Sequence, residues 1–278
     1  MRMLPFIAVL GLYAFTYGHV QAQDLIQKSA NAEPVEITAD KTLEWDRNAK
    51  SFTARGNAKA QQGDTAVEAD LLTARYRSSD SKSIDVREVE ATGAVVLTSR
   101  DSKAFGERAL YSLDTGLAVM TGGDLRLVAP NGMVKAKERF EYWTNENRLE
   151  AVGDAQIQHK NEKGQINTLT ADRFTALLAE NAQGQQGLKS LKAEGNVIIT
   201  TPDEPVRGAY GFYDAQAQTA DITGGVTITR GPNTLQGEKA RVDLKTGLSK
   251  LEGSGTSGGQ VRGVFYPDSA PKKEGVTP

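Results

Sequence analysis

The sequence predicts an all-β protein of about 14 strands, stacked into an elongated, open structure with an apolar inner trough. Three observations predict it: short apolar segments alternate with period two, glycine-centred turns recur roughly every 30 residues, and the spacings between elements repeat as a set of three.

The chain of 278 residues is long enough to bury a core as one long domain or two ordinary ones. Its formal net charge is −2, with no large block of one sign. That distribution points away from nucleic acid and from electrostatic docking on an anionic membrane, so binding rests on shape and apolar surface. The chain has no cysteine, which excludes a disulfide, a thiolate metal site, a cysteine nucleophile and a lipid-modified N-terminal cysteine.

The N-terminus reads as a secretory signal over residues 1–22: Arg2, an apolar stretch from Met3 to Tyr17, then Val20-Gln21-Ala22 before Gln23. An uncleaved inner-membrane anchor competes with that reading. The apolar run is shorter than the span of about 20 residues that a bilayer needs, and the small-residue ending at Ala22 favours cleavage. Residues 23–33 then form a linker.

Seven segments run into a glycine-centred turn at Gly56, Gly93, Gly122, Gly153, Gly195, Gly224 and Gly253; "VEATGAVVL" (Val89–Leu97) and "LKAEGNVII" (Leu191–Ile199) are typical. Each is preceded by an element with a small residue, usually an acidic one, and then apolar or aromatic residues. "VEADLLTARY" (Val67–Tyr76) and "LTADRFTAL" (Leu169–Leu177) are examples. A unit is therefore two strands joined by a polar connection. The glycine pairs suit either hairpin turns or bends inside longer strands, because both need backbone that tolerates positive φ.

From Asp40, Asp70 and Glu107 to the next turn glycine the spacings are 16, 23 and 15 residues, and from Lys137, Asp172 and Ala209 they are 16, 23 and 15 again. Gly93, Gly122 and Gly153 recur 102, 102 and 100 residues later as Gly195, Gly224 and Gly253. This predicts a duplicated module, with residues 34–130 as the first copy, 131–253 as the second, and 254–278 as a flexible C-terminal segment holding a short strand and a polar tail.

In "VEITAD" Val35, Ile37 and Ala39 share one face, as a half-buried strand requires. Thr170–Glu180 has helical spacing at Phe174, Leu177 and Leu178, yet it occupies a strand slot of the repeat and is predicted as a strand. Inward positions are rich in Ala, Val and Ile, which leaves room for a ligand or else packs as a tight core of small residues.

No catalytic, metal or cofactor site is predicted. The two histidines are His19, in the signal, and His159, in a polar stretch. No phosphate-binding glycine loop, nucleophile elbow or H-E-x-x-H motif occurs. The recurring carboxylates do not follow a nonapeptide calcium repeat and read as solvated groups at strand edges. A polysaccharide-acting β-helix enzyme with paired Asp70 and Glu107 is one alternative, but the second copy has Asp172 and Ala209 there. A purely structural β-repeat or adhesin is another.

The N-terminal signal followed by "PVEITADKTLEW", "FTARGNAKAQQGDTAVEADLLTARY", "VEATGAVVL" and "YSLDTGLAVMTGG" resembles the LptA/OstA family of lipopolysaccharide transport proteins, from Pro34 to about Gly253. The resemblance implies a periplasmic antiparallel β-jellyroll with a slightly open, V-shaped cross-section, carrying lipid A acyl chains in its interior. It implies partners as well: lipopolysaccharide, an inner-membrane LptC-like component, an outer-membrane LptD-like component, and further copies joined end to end. Matching motif positions place Val35, Ile37, Val95, Leu97, Tyr111 and Leu113 on the lining, and internal duplication adds Val197, Ile199, Tyr213 and Ile222. Strand addition would use Val35 and Ile37 at the start and Val261, Val264 and Phe265 in "VRGVFY" at the end. The chain departs from the commoner pattern of that family by carrying the three-unit module twice.

Overall fold

The computed structural model describes residues 34–266 other than 79–83, 131, 161–163, 181–185, 202–204, 244, 247 and 255–258. The expected signal (1–22), the linker (23–33) and the end of the tail lie outside the described residues.

Eighteen strands and no helix occur among the described residues. In chain order they are β1 (Glu36–Thr38), β2 (Thr42–Asp46), β3 (Ser51–Gln62), β4 (Thr65–Ser78), β5 (Ile84–Ser99), β6 (Ser102–Ser112), β7 (Leu117–Thr121), β8 (Leu125–Ala129) and β9 (Gly132–Ala136). They continue as β10 (Arg139–Trp143), β11 (Arg148–Lys160), β12 (Ile166–Glu180), β13 (Gln186–Thr200), β14 (Pro205–Asp214), β15 (Thr219–Arg230), β16 (Asn233–Asp243), β17 (Ser249–Glu252) and β18 (Arg262–Val264). Every pairing is antiparallel.

Four pairs of short strands are halves of one crossing. β1 and β2 both pair with β3, β7 and β8 with β6, β9 and β10 with β11, and β17 and β18 with β16. Counting each pair once leaves 18 − 4 = 14 crossings, each hydrogen-bonded to the one before and the one after. The result is a single antiparallel ribbon rolled around an apolar interior, the β-jellyroll class expected from the sequence. Thr170–Glu180 is strand, within β12, because tertiary pairing on both sides overrides its helical spacing.

The glycine pairs are bends inside strands and not hairpin turns. Gly56, Gly93, Gly153, Gly195 and Gly224 lie in the middles of β3, β5, β11, β13 and β15, and the pairing register slips beside each of them. Gly93 and Ala94 have φ of +81° and +45°, and Gly195 and Asn196 have +76° and +47°. Two successive left-handed residues form a bulge that turns the strand. A side chain at Gly93 or Gly195 would also strike the carboxylate of Asp70 or Asp172 on the neighbouring strand.

These bends form a corner that runs through the molecule, and the recurring polar residues sit on it. Asn57 donates to Asp40 at 2.7 Å, Asn196 donates to both carboxylate oxygens of Asp172 at 3.0 and 3.1 Å, and the Gly123 amide donates to Glu107 at 3.1 Å. At the fourth corner the polarity is reversed: Lys137 pairs with Asp154 at 2.6 Å. The carboxylates are exposed, as expected of strand-edge groups, and they also tie each bend to the next strand.

Simple alternation slips at the corner. In β4 the inward residues are Val67 and Ala69 before Asp70, but Leu72 and Ala74 after it; in β12 they are Leu169 and Ala171 before Asp172, then Phe174 and Ala176. Each crossing therefore has two arms that direct apolar side chains into the same interior. The core contains residues of both arms, such as Ala54 and Ala58 of β3 and Ala193 and Val197 of β13.

Candidate functional site

Between the arms lies a cavity of about 900 Å³ whose wall is almost wholly apolar. Its lining begins at Val35, Ile37 and Leu43 on the first crossing and extends to Leu188 and Leu191 on β13. Alternation builds it: one side chain in two along each arm faces inward, and the corner slip keeps the inward set continuous from one arm to the other. Alanines in mid-strand (Ala74, Ala104, Ala109, Ala118 and Ala176) keep the space open between larger groups such as Phe52, Tyr111, Phe140 and Phe174.

Most polar groups on this wall gather at one rim, with Thr73 and Glu141 on the other arm. Thr98 and Ser99 end β5, Asp101 lies in the turn, Ser102 and Lys103 begin β6, and His159 lies on β11. Beside the opening, Trp45 stacks on Phe52 with ring centroids 5.4 Å apart, Phe52 meets Tyr76 at 5.3 Å, and the Trp45 indole N–H donates to the Tyr76 hydroxyl at 2.8 Å. Trp45 stays 53% exposed, so this aromatic group forms a fixed lip and not a plug. No group of three or more His, Cys, Asp or Glu side chains placed to hold a metal ion occurs among the described residues.

The outer face is polar, with ion pairs both within and across strands. Arg108 meets Glu90 at 2.6 Å, and Arg148 lies 2.8 Å from Glu146 and also pairs with Glu150. Arg241 donates to both oxygens of Asp221 at 2.8 and 2.7 Å, which holds the Asp221 carboxyl below the usual carboxylate range. This charge stays outside, which leaves the interior to apolar chemistry.

Of the residues named from the sequence, Val35, Ile37, Leu97 and Tyr111 lie on the cavity wall. Val95 sits beneath the wall at the corner, 1% exposed. Leu113 is in the turn after β6, where its amide donates to the Arg87 carbonyl, and it is not on the wall. Val197 and Ile199 of β13, Tyr213 of β14 and Ile222 of β15 are buried in the core, none of them on the wall of this cavity. The residues missed include Leu43, Phe52, Phe140 and Phe174. Leu43, Phe140 and Phe174 lie past a corner, where alternation carried forward from the preceding arm assigns the wrong face or loses the count, whereas Phe52 precedes the bend of β3; the spacing to the turn glycine marks each corner in the sequence and was the available signal for those three.

At the edges of the ribbon, β1 and β2 pair only with β3, and β17 and β18 only with β16, among the described residues. Val35 is 46% exposed there, and Phe265 is 68% exposed. Val261 is exposed as well, whereas Ile37 and Val264 are half-buried.

Residues 36–148 match the family model described as LptA/(LptD N-terminal domain) LPS transport protein. An uncharacterised protein of Rhizobium meliloti (strain 1021) is 30% identical over 135 residues, which are 46% of this chain and 72% of that protein. Among solved structures, LptH of Pseudomonas aeruginosa, described as the LptA homologous periplasmic component of the conserved lipopolysaccharide transport device, is 10% identical. That match covers 84% of this chain and 96% of that one, with a TM-score of 0.21. Through residues 36–148, the chain belongs to the LptA/LptD N-terminal-domain family of LPS transport proteins.

Proposed function

We propose that this chain binds lipopolysaccharide in the periplasm and shields its lipid A acyl chains during transfer from the inner to the outer membrane. The observation that carries this reading is the apolar wall of the 900 Å³ cavity in a chain whose family is described by LPS transport. An acyl chain of a dozen carbons left in water costs on the order of 10 kcal/mol at about 0.8 kcal/mol per methylene. The wall offsets that cost, while the polar rim at Ser99, Asp101, Ser102 and Lys103 suits sugars and phosphates that stay hydrated.

The partners in this reading are an LptC-like component on the inner-membrane side and an LptD-like component on the outer-membrane side. They dock by adding strands to the two free edges, at Val35 and Ile37 and at Val261, Val264 and Phe265, and further copies join end to end in the same way. The two copies of the three-unit module, 34–130 and 131–253, lengthen one ribbon.

The test is photocrosslinking. A photoreactive residue in place of Tyr111, on the wall, should form an adduct with purified lipopolysaccharide. No adduct, under conditions where an established lipopolysaccharide carrier forms one, would overturn the reading.

A further inference from the structure

The two arms of the crossings end differently at the mouth of the cavity. On the arm that carries β1, β8 and β9, strand pairing sets residues opposite one another in a row that is apolar without a break. It runs from Ala60 and Val67 through Leu127 and Ile157 to Ile228 and Leu235. Two residues farther out, at the rim, the row becomes polar. Thr65 lies opposite both Gln62 and Ser99, and Ser99 lies opposite Ser102. Beyond the small Ala129 and Gly132, His159 lies opposite Asn167. Thr65, Ser99, Ser102 and His159 are all on the cavity wall.

The other arm, which carries β2, β7 and β10, stays apolar to its tip. Paired crossings place Phe52, Val89, Tyr111, Tyr142 and Leu149 in one row of the wall. Val86 and the opposed pair Leu178 and Leu188 line it still nearer the tip. Thr73 and Glu141 fall between inward positions of this arm, so their side chains face outward, and Glu141 pairs with Arg139. The polar rim, by contrast, is a property of the whole ribbon. Asn167 and Thr201 stand 102 residues after Thr65 and Ser99, and Arg230 and Asn233 lie opposite each other at the same distance beyond Ile228 and Leu235.

We infer that bound lipid has one orientation across the mouth: its phosphorylated sugar headgroup lies along the rim at Thr65, Ser99, Ser102 and His159, and its acyl chains pack against the other arm up to the tip. This rests on the proposed lipid-binding function and adds an orientation to it. Hydroxyl, amide and imidazole groups both donate and accept hydrogen bonds, as sugar hydroxyls and phosphate oxygens require. The opposite rim gives an acyl chain apolar contact, where a headgroup would lose its hydrogen bonds. Neighbouring crossings are about 4.8 Å apart, so a headgroup can exchange one rim partner for the next as the lipid passes along the ribbon. The apolar row beneath it is unbroken over the same path.

Photoreactive residues in the full chain test the orientation. They are placed singly at Thr65 and Ser102 on the polar rim and at Val89 and Ala118 on the apolar arm, and each variant is irradiated with purified lipopolysaccharide. Tandem mass spectrometry of each crosslinked peptide locates the new bond. It should fall on the sugar-phosphate headgroup from Thr65 and Ser102, and on an acyl chain from Val89 and Ala118. The same product from both arms, or the reverse pattern, overturns the inference while leaving lipid binding intact. A second measurement avoids the photoreactive group. Thr65→Val combined with Ser102→Ala, near-isosteric changes that remove two hydroxyls, should weaken lipopolysaccharide binding about tenfold. Far-UV circular dichroism confirms that this variant is folded, and unchanged affinity overturns the inference. No adduct at any position and no saturable binding by the unaltered chain overturn the lipid-binding reading itself, and this inference with it.

Discussion

At the corner of Gly93 and Gly195 the two copies of the module match; along the arms they do not. Gly93 and Gly195 share a left-handed φ and sit where a Cβ would strike Asp70 and Asp172, and Val95 and Val197 are equally buried beside them. Yet Tyr111 lines an open cavity while Tyr213 is buried. The corner is a backbone device, so its requirements are the same wherever a strand must bend. Exposure along the arms is set by side-chain volume, and there the copies have diverged.

The sharpest test of that contrast is Tyr213→Ala against Tyr111→Ala. Removing a buried aromatic leaves a cavity, so Tyr213→Ala should cost about 3–5 kcal/mol, and Tyr111→Ala, on the cavity wall and only partly buried, about 1–2 kcal/mol. Denaturant unfolding midpoints measure both, and equal losses would mean that the two rings are equally buried.

Corner substitutions should show no such contrast. Gly93→Ala and Gly195→Ala each place a Cβ in left-handed backbone and against a carboxylate, for about 2–3 kcal/mol apiece. A difference above about 1 kcal/mol between them, well outside the additivity error of independent sites, would show that the corners are not equivalent. Val95→Ala and Val197→Ala, one layer in, should each cost about 2 kcal/mol, again alike in the two copies.

The smallest expected effect is on the outer face, where the second copy has Asp221 with Arg241 and the first has Val119 at the equivalent position. The folded state holds the Asp221 carboxyl below its unfolded value, chiefly through its hydrogen bond from Arg241. Its stabilisation is therefore complete above the unfolded pKa of about 3.9 and is lost as pH falls below it. Asp221→Asn should remove under about 1 kcal/mol at neutral pH and flatten the acid limb of stability below about pH 4. An unchanged acid limb would assign that pH dependence to other carboxylates.

Much of the fold was legible before any coordinates. Seven glycine-centred units imply 14 crossings, and 14 crossings form the ribbon. The segment around Phe174 is strand because its slot in the repeat demanded one. The site was less legible. Val35, Ile37, Leu97 and Tyr111 were within reach because each lies in a stretch of regular alternation that a matching motif anchors. Phe140 and Phe174 were not: each lies on the far side of a bend, and face assignment by period two fails when the bend is not recognised as one.

The sequence alone determines where strands run, where they can bend and how often the pattern recurs, since alternation and left-handed glycine backbone are local properties. Only the tertiary structure decides that the glycines are corners within strands, that Asp70 and Asp172 brace them from the neighbouring strand, and that Tyr111 lines the cavity while Tyr213 is buried. Those outcomes depend on side chains brought together from different crossings, and the exposure of a residue is set by its neighbours' volumes as much as by its own.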